Sequence, residues 1–164
     1  MPASSIEPRS EYPAVRRRRL SAGVRLALVG VAAGLAGVFA LAARVEPYDA
    51  AGRPLREGTH EQLGLPPCNF YRMTGRPCPS CGMTTSFALL VRGDVEGSLR
   101  ANWVGTLGAL FAAGLLPWSA VSALRGRYLW LRSVEWAVLA VLGGFAVLMM
   151  LRWGWIMAVA ALPV

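Results

Sequence analysis

Three apolar runs, each about as long as a bilayer-spanning helix, constrain this chain more than any other feature. They are Leu26 to Ala43 (LALVGVAAGLAGVFALAA), Trp103 to Leu124 and Val134 to Leu151. The first two carry no charge, and the third carries only Glu135 at its start. Inside lipid no water is present to satisfy backbone amides and carbonyls, so runs of this length fold as helices. The apolar share of 55% exceeds the roughly half expected of a soluble domain. It is also blocked into runs rather than spread. The expected fold class is an all-α membrane protein with three transmembrane helices.

Charge supplies the topology. Arg16 to Arg19 precede the first run, and Arg125, Arg127 and Arg132 crowd a short connection that contains no acid. Both clusters read as cytoplasmic under the positive-inside tendency. The net charge of +8 therefore belongs to membrane orientation, and a nucleic-acid partner is rejected. The implied layout begins with residues 1–19 as a disordered basic cytoplasmic tail and 20–43 as the first span. Residues 44–102 form an extracytoplasmic loop, 103–124 the second span and 125–133 a cytoplasmic loop. Residues 134–155 make the third span, with 156–164 as an apolar tail. Ala40-Leu41-Ala42 has the form of a leader cleavage site. The run is longer than the roughly 7 to 15 apolar residues of a usual signal core, which favours an uncleaved anchor.

Within the second span, Gly105, Gly108, Ala112 and Gly114 offer small surfaces for close helix contact, as Gly143-Gly144 does in the third. Such faces suit self-association or a membrane-protein partner beside the lipid bilayer. Pro117 is expected to kink the second span. Arg152, Trp153 and Trp155 read as an interfacial belt.

The polar segment from Arg44 to Arg100 is nearly neutral, with seven arginines against six acids. Glycines and prolines break regular structure in its first half. Met83, Phe87, Leu90 and Val91 then fall on one face of a short amphipathic helix, with Thr84, Thr85 and Ser86 around the rest. Gly93 suits its C-terminal turn, Asp94 an N-cap for a second short helix over residues 95–101, and Asn102 a cap for the second span.

All three cysteines lie in this segment, and Cys78-Pro-Ser-Cys81-Gly82 supports three chemistries. A two-residue gap brings two sulfurs within disulfide reach. A helix beginning at Met83 would stabilise a thiolate, making Cys78 the exposed nucleophile and Cys81 its resolving partner. No βαβ pattern surrounds the motif, so a thioredoxin fold is excluded. The same knuckle with Cys68, and with His60 as a fourth ligand, could hold a metal such as zinc. The spacing matches no standard finger. A disulfide, Cys78–Cys81 or Cys68 to either one, could instead staple the loop, and closure between Cys68 and Cys78 would contribute on the order of 2 to 3 kcal/mol. The odd cysteine count weakens a purely structural role. Other candidates are weaker. Thr84, Thr85 and Ser86 lack an identifiable base. Asp94 and Glu96 are explained by helix capping and first-turn charge.

The block Gly75-x-Pro-Cys78-Pro-x-Cys81-Gly-Met-Thr, followed by Phe87-x-x-Leu90-x-x-Gly93-Asp94 and Asn102, resembles a bacterial family of small CPxCG-bearing membrane proteins. That family is catalogued only as a domain of unknown function. The resemblance spans roughly residues 65–150, and Cys78, Pro79, Cys81, Gly82, Thr84, Gly93 and Asn102 match its pattern. Relatives often carry an arginine where Thr85 stands and a proline where Trp103 stands. If that arginine tunes the cysteines elsewhere, this chain does without it or uses Arg72 or Arg76. The resemblance implies the bacterial inner (plasma) membrane and a shared motif, and it assigns no reaction.

Overall fold

A computed structural model describes residues 19–127 and 134–160, the last segment without the side chains of residues 134 and 135. The tail before Arg19, the loop positions Trp130 and Arg132, the Glu135 side chain and residues 161–164 lie outside the described residues. Among the described residues five α-helices follow in order: α1 (Ala22–Arg44), α2 (Asn69–Thr74), α3 (Met83–Val91), α4 (Val95–Arg125) and α5 (Val134–Ala160). A 3₁₀ turn, Thr59–Leu63, precedes α2. Among the described residues no strand forms beyond an isolated bridge between Tyr48 and Pro54. Three of the helices, α1, α4 and α5, are long and apolar enough to cross a membrane. This is an all-helical membrane protein.

The chain enters α1 through Ser21, whose hydroxyl accepts the Val24 amide at 3.3 Å. Helices α1 and α4 lie side by side and run in opposite directions. The Leu20 amide donates to the Gly126 carbonyl at 2.8 Å, and Arg25 Nε donates to the Ala123 carbonyl at 2.9 Å. At the other end Arg92 donates to the carbonyls of Ala42, Ala43 and Ala88. One guanidinium thus satisfies carbonyls from the last turns of α1 and α3, which their own helices leave unpaired.

Helix α3 occupies the residues expected of it, with a different face turned inward. Thr85, Ser86, Ala88 and Leu89 are buried, whereas Val91 is exposed and Phe87 half-buried. Phe87 lies beside Phe39 of α1, ring centroids 6.0 Å apart. In a water-soluble helix the apolar stripe through Met83, Phe87, Leu90 and Val91 would be the face turned to the core. The spanning helix α4 presents small and weakly polar residues for close helix contact, and the face of α3 that meets it is of the same kind. Gly105 shows how closely α3 and α4 approach. A Cβ there would collide with Ser86 Oγ.

The short helix and the second span expected around Asn102 appear as the two halves of α4. Asn102 is extended (φ −159°, ψ 99°) between them. Asp94 Oδ1 accepts the Gly97 amide at 2.8 Å and caps the first half. Asn102 Oδ1 accepts the Gly105 amide at 3.1 Å and caps the second. Both are side-chain acceptors serving the third helical amide. Ser98 Oγ and Thr106 Oγ1, 2.7 Å apart, bridge the bend from inside, and Ser98 also donates to the Ser86 carbonyl.

Helix α5 differs from the rest. Within its spanning window no residue is buried, and its contacts with α4 are sparse. Phe145 meets Phe111 at 6.3 Å and lies beside Gly108. A Cβ added at Gly143, Gly144 or Gly114 would meet nothing within 4 Å, so among the described residues these small surfaces make no close helix contact.

Candidate thiol or metal site

The cysteines gather where α2, α3, the bend of α4 and the end of α5 meet. Cys68 stands at the N-cap position of α2. Cys81 directly precedes Gly82, the N-cap residue of α3. Between them the chain turns tightly: the Cys81 amide donates to the Cys78 carbonyl at 3.1 Å and the Met83 amide to the Ser80 carbonyl at 3.1 Å. That turn aims the Cys78 amide at Cys81 Sγ, 3.1 Å away, and brings the two sulfurs to 3.2 Å. Cys68 Sγ joins them, with all three sulfurs within 4.8 Å of one another. The three cysteines are free thiols.

Gly82 makes this turn feasible. Its φ is +82°, and a Cβ would lie 2.7 Å from both the Ala101 and the Arg56 carbonyl oxygens. Any side chain is refused by conformation and by space at once.

Three carbonyls of the cysteine turn are held from outside it. Asn102 Nδ2 donates to Cys81 O at 3.0 Å, Trp153 Nε1 to Pro77 O at 3.0 Å, and Arg152 Nη1 to Pro79 O at 3.5 Å. Arg152 Nη2 also takes the Ala101 carbonyl at 3.1 Å. The bend leaves that carbonyl outside the regular ladder, because the Gly105 amide is occupied by Asn102. Phe70 of α2 completes the support by meeting Trp153 edge-on, centroids 6.0 Å apart.

Arg152 and Trp153 are the functional residues that sequence reasoning missed. They read as an interfacial belt, yet both are half-buried against the site. The available signal was an arginine at the end of an otherwise uncharged stretch of span. Such an ionisable group faces a partner far more often than lipid. Among the described residues the guanidinium bonded to the cysteine turn is that of Arg152, through the Pro79 carbonyl, while Arg76 donates to Met157 Sδ at 3.9 Å. Thr85 Oγ1 lies 2.9 Å from Thr59 Oγ1 and fastens the 3₁₀ turn onto α3.

The two motif thiols are unlike. Burial works against the Cys78 thiolate, but hydrogen bonds to it from Ser80, Cys81 and Cys68 outweigh burial and hold its pKa below the ordinary value. Burial pushes the Cys81 thiol up, and its hydrogen bond to Cys78 pushes it further. Cys78 is therefore the more acidic of the two thiols.

A pocket of about 620 Å³ opens onto the sulfurs, lined by Cys68, Cys78 and Cys81 with Glu57, His60 and Tyr71 among others. His60 stands on its wall and is not a member of the 4.8 Å cluster. Glu96 pairs with Arg100 on the surface, and Asp94 acts as a cap, so neither belongs to the site.

The fold and this cluster define a class: a helical membrane protein with a three-thiol centre beside a helix start. Residues 68–116 match the family described as "Protein of unknown function (DUF2752)". That stretch holds the cysteines, α3 and most of α4, and it bears out the resemblance of the CPxCG block to a family of small membrane proteins of unknown function. No curated protein and no solved structure matches the chain.

Proposed function

We propose that Cys78 and Cys81 form a thiol–disulfide exchange centre at the outer face of a bacterial plasma membrane, with the N-terminus in the cytoplasm. The observation that carries this reading is the 3.2 Å approach of two sulfurs whose acidities are shifted in opposite directions. The Cys78 thiolate attacks one sulfur of a substrate disulfide. A Cys78–substrate S–S bond forms, the substrate S–S bond breaks, and the departing thiolate takes the proton of Cys81. The Cys81 thiolate then attacks Cys78 Sγ and expels the second substrate thiolate, which is protonated by water. Two electrons have passed to the substrate, and the Cys78–Cys81 disulfide remains. An external dithiol reverses the sequence. The charge clusters at Arg19 and Arg125 support the orientation, and an extracytoplasmic compartment suits disulfide chemistry.

The test is mass-resolved alkylation of the purified protein across graded dithiol buffers. The expected result is a two-electron transition that forms a Cys78–Cys81 bond and is absent from Cys78→Ser. Thiols that stay inert throughout would sink the reading. An impermeant thiol reagent on intact spheroplasts, after mild reduction, tests the orientation. Labelling confined to opened cells would reverse it.

Cys68 favours a second reading, metal binding, because a third sulfur within 4.8 Å of the other two is more than a redox pair needs. Thiolates around tetrahedral zinc stand about 3.8 Å apart, so small adjustments would fit the ion. Cys68, Cys78 and Cys81 would supply three ligands, with His60 or water as the fourth. Stoichiometric zinc by elemental analysis, with alkylation blocked until a chelator is added, would select this reading over the first. The uncontacted surface at Gly143 and Gly144 leaves room for a second membrane helix, another copy included.

A further inference from the structure

The opposite end of the bundle carries a second cavity that the thiol chemistry does not use. Arg19, Arg25, Arg125 and Arg127, with Leu20, Leu124 and Gly126, line a pocket of about 740 Å³ between the start of α1 and the end of α4. Among the described residues no carboxylate lines it. Arg25 is anchored by its Nε bond to the Ala123 carbonyl, and among the described residues its two terminal nitrogens remain open to a ligand. The backbone frame is closed by Leu20 to Gly126 at 2.8 Å and by Arg127 to Ser122 at 3.3 Å. Four guanidinium groups around one cavity repel each other, and an anion relieves that repulsion. Their forked donors fit phosphate oxygens in pairs.

We infer that this pocket binds the phosphodiester headgroup of an anionic phospholipid. The second half of α4, from Asn102 to Arg125, measures roughly 35 Å at 1.5 Å per residue, so the pocket sits at the depth of a headgroup layer. Leu124 beside it is 81% exposed, and Leu26 on α1 is 72% exposed. An acyl chain hanging from the bound headgroup would run along that apolar wall. A free phosphate would meet the same arginines and leave the wall unused. Basic pockets between spanning helices are a recurrent form of lipid recognition. The inference depends neither on the thiol reading nor on which face of the membrane the pocket occupies.

The experiment titrates delipidated full-length protein in a neutral detergent with short-chain phosphatidylglycerol. Short-chain phosphatidylcholine and inorganic phosphate form the other arms, and bound adducts are counted by native mass spectrometry. The expected result is a one-to-one phosphatidylglycerol adduct that phosphate does not displace. It should weaken by about tenfold or more in Arg125→Gln/Arg127→Gln and remain unchanged in Arg100→Gln, which alters the far end. Fold is monitored in each variant by the alkylation pattern of Cys78. If the double variant loses that pattern, the exposed Arg127→Gln alone is scored, with a smaller loss expected. Equal binding of phosphatidylcholine, displacement by phosphate, or undiminished binding by a folded variant overturns the inference.

Discussion

The junction of α3 with α4 and the long flank of α5 obey different rules. In the junction small and polar side chains are hidden: Ser86, Ser98, Asn102 and Thr106 are all buried, and hydrogen bonds connect them through the bend. On α5 the large apolar side chains Trp136, Leu139 and Leu142 are exposed. The helix holds to the rest chiefly through the Phe145 contact and through Arg152 and Trp153 near its end. Lipid inverts the usual sorting, because apolar surface gains nothing by hiding from lipid while polar groups must find partners. The cysteine turn sits at the meeting point, built on the junction and clasped by α5.

The contrast predicts a graded set of responses. Gly82→Ala should be most severe, since it forces a methyl against two carbonyl oxygens in a left-handed conformation. A loss of about 3 kcal/mol or more is expected in denaturant unfolding. A stable variant would show that the junction is looser than its geometry implies. Asn102→Ala should follow at about 2 kcal/mol, from a lost helix cap and an unpaired Cys81 carbonyl. Arg152→Gln or Trp153→Phe should cost only about 1 kcal/mol. Either should speed hydrogen exchange at Cys78 and Cys81 while leaving exchange in the buried parts of α3 and α4 unchanged. Equal acceleration in both regions would mean that α5 supports the whole bundle.

The thiols should separate by pH. A lowered pKa keeps the Cys78 thiol ionised at lower pH, so Cys78 alkylation should persist as pH falls below the range where an ordinary cysteine stops reacting. Cys81 should require a more alkaline medium than an ordinary cysteine. Coincident pH profiles would refute the division of roles. The smallest effect belongs to Gly143→Ala, expected within about 0.5 kcal/mol. A larger change would reveal a helix partner at that surface.

Much of the architecture was legible because its causes are local or periodic. Run length and charge mark the spans. The Met83–Val91 helix follows from spacing, and Asp94 and Asn102 are capping residues placed before helical stretches. The cluster of Cys68 with Cys78 and Cys81 follows from a turn motif and a short intervening loop. The inward face of α3 was not legible, since periodicity reveals a stripe without telling whether it meets protein or lipid. Arg152 and Trp153 were missed for another reason. Each reaches a carbonyl more than seventy residues away, and those acceptors are backbone atoms, which leave no trace in residue type.

Gly82 has a consequence for the evolution of such a site. Loop, bend and thiol turn converge on a clearance no wider than one hydrogen atom, so the three segments cannot drift independently. Thickening any of them by a single carbon would require the others to retreat together, and the sulfurs would part in the process.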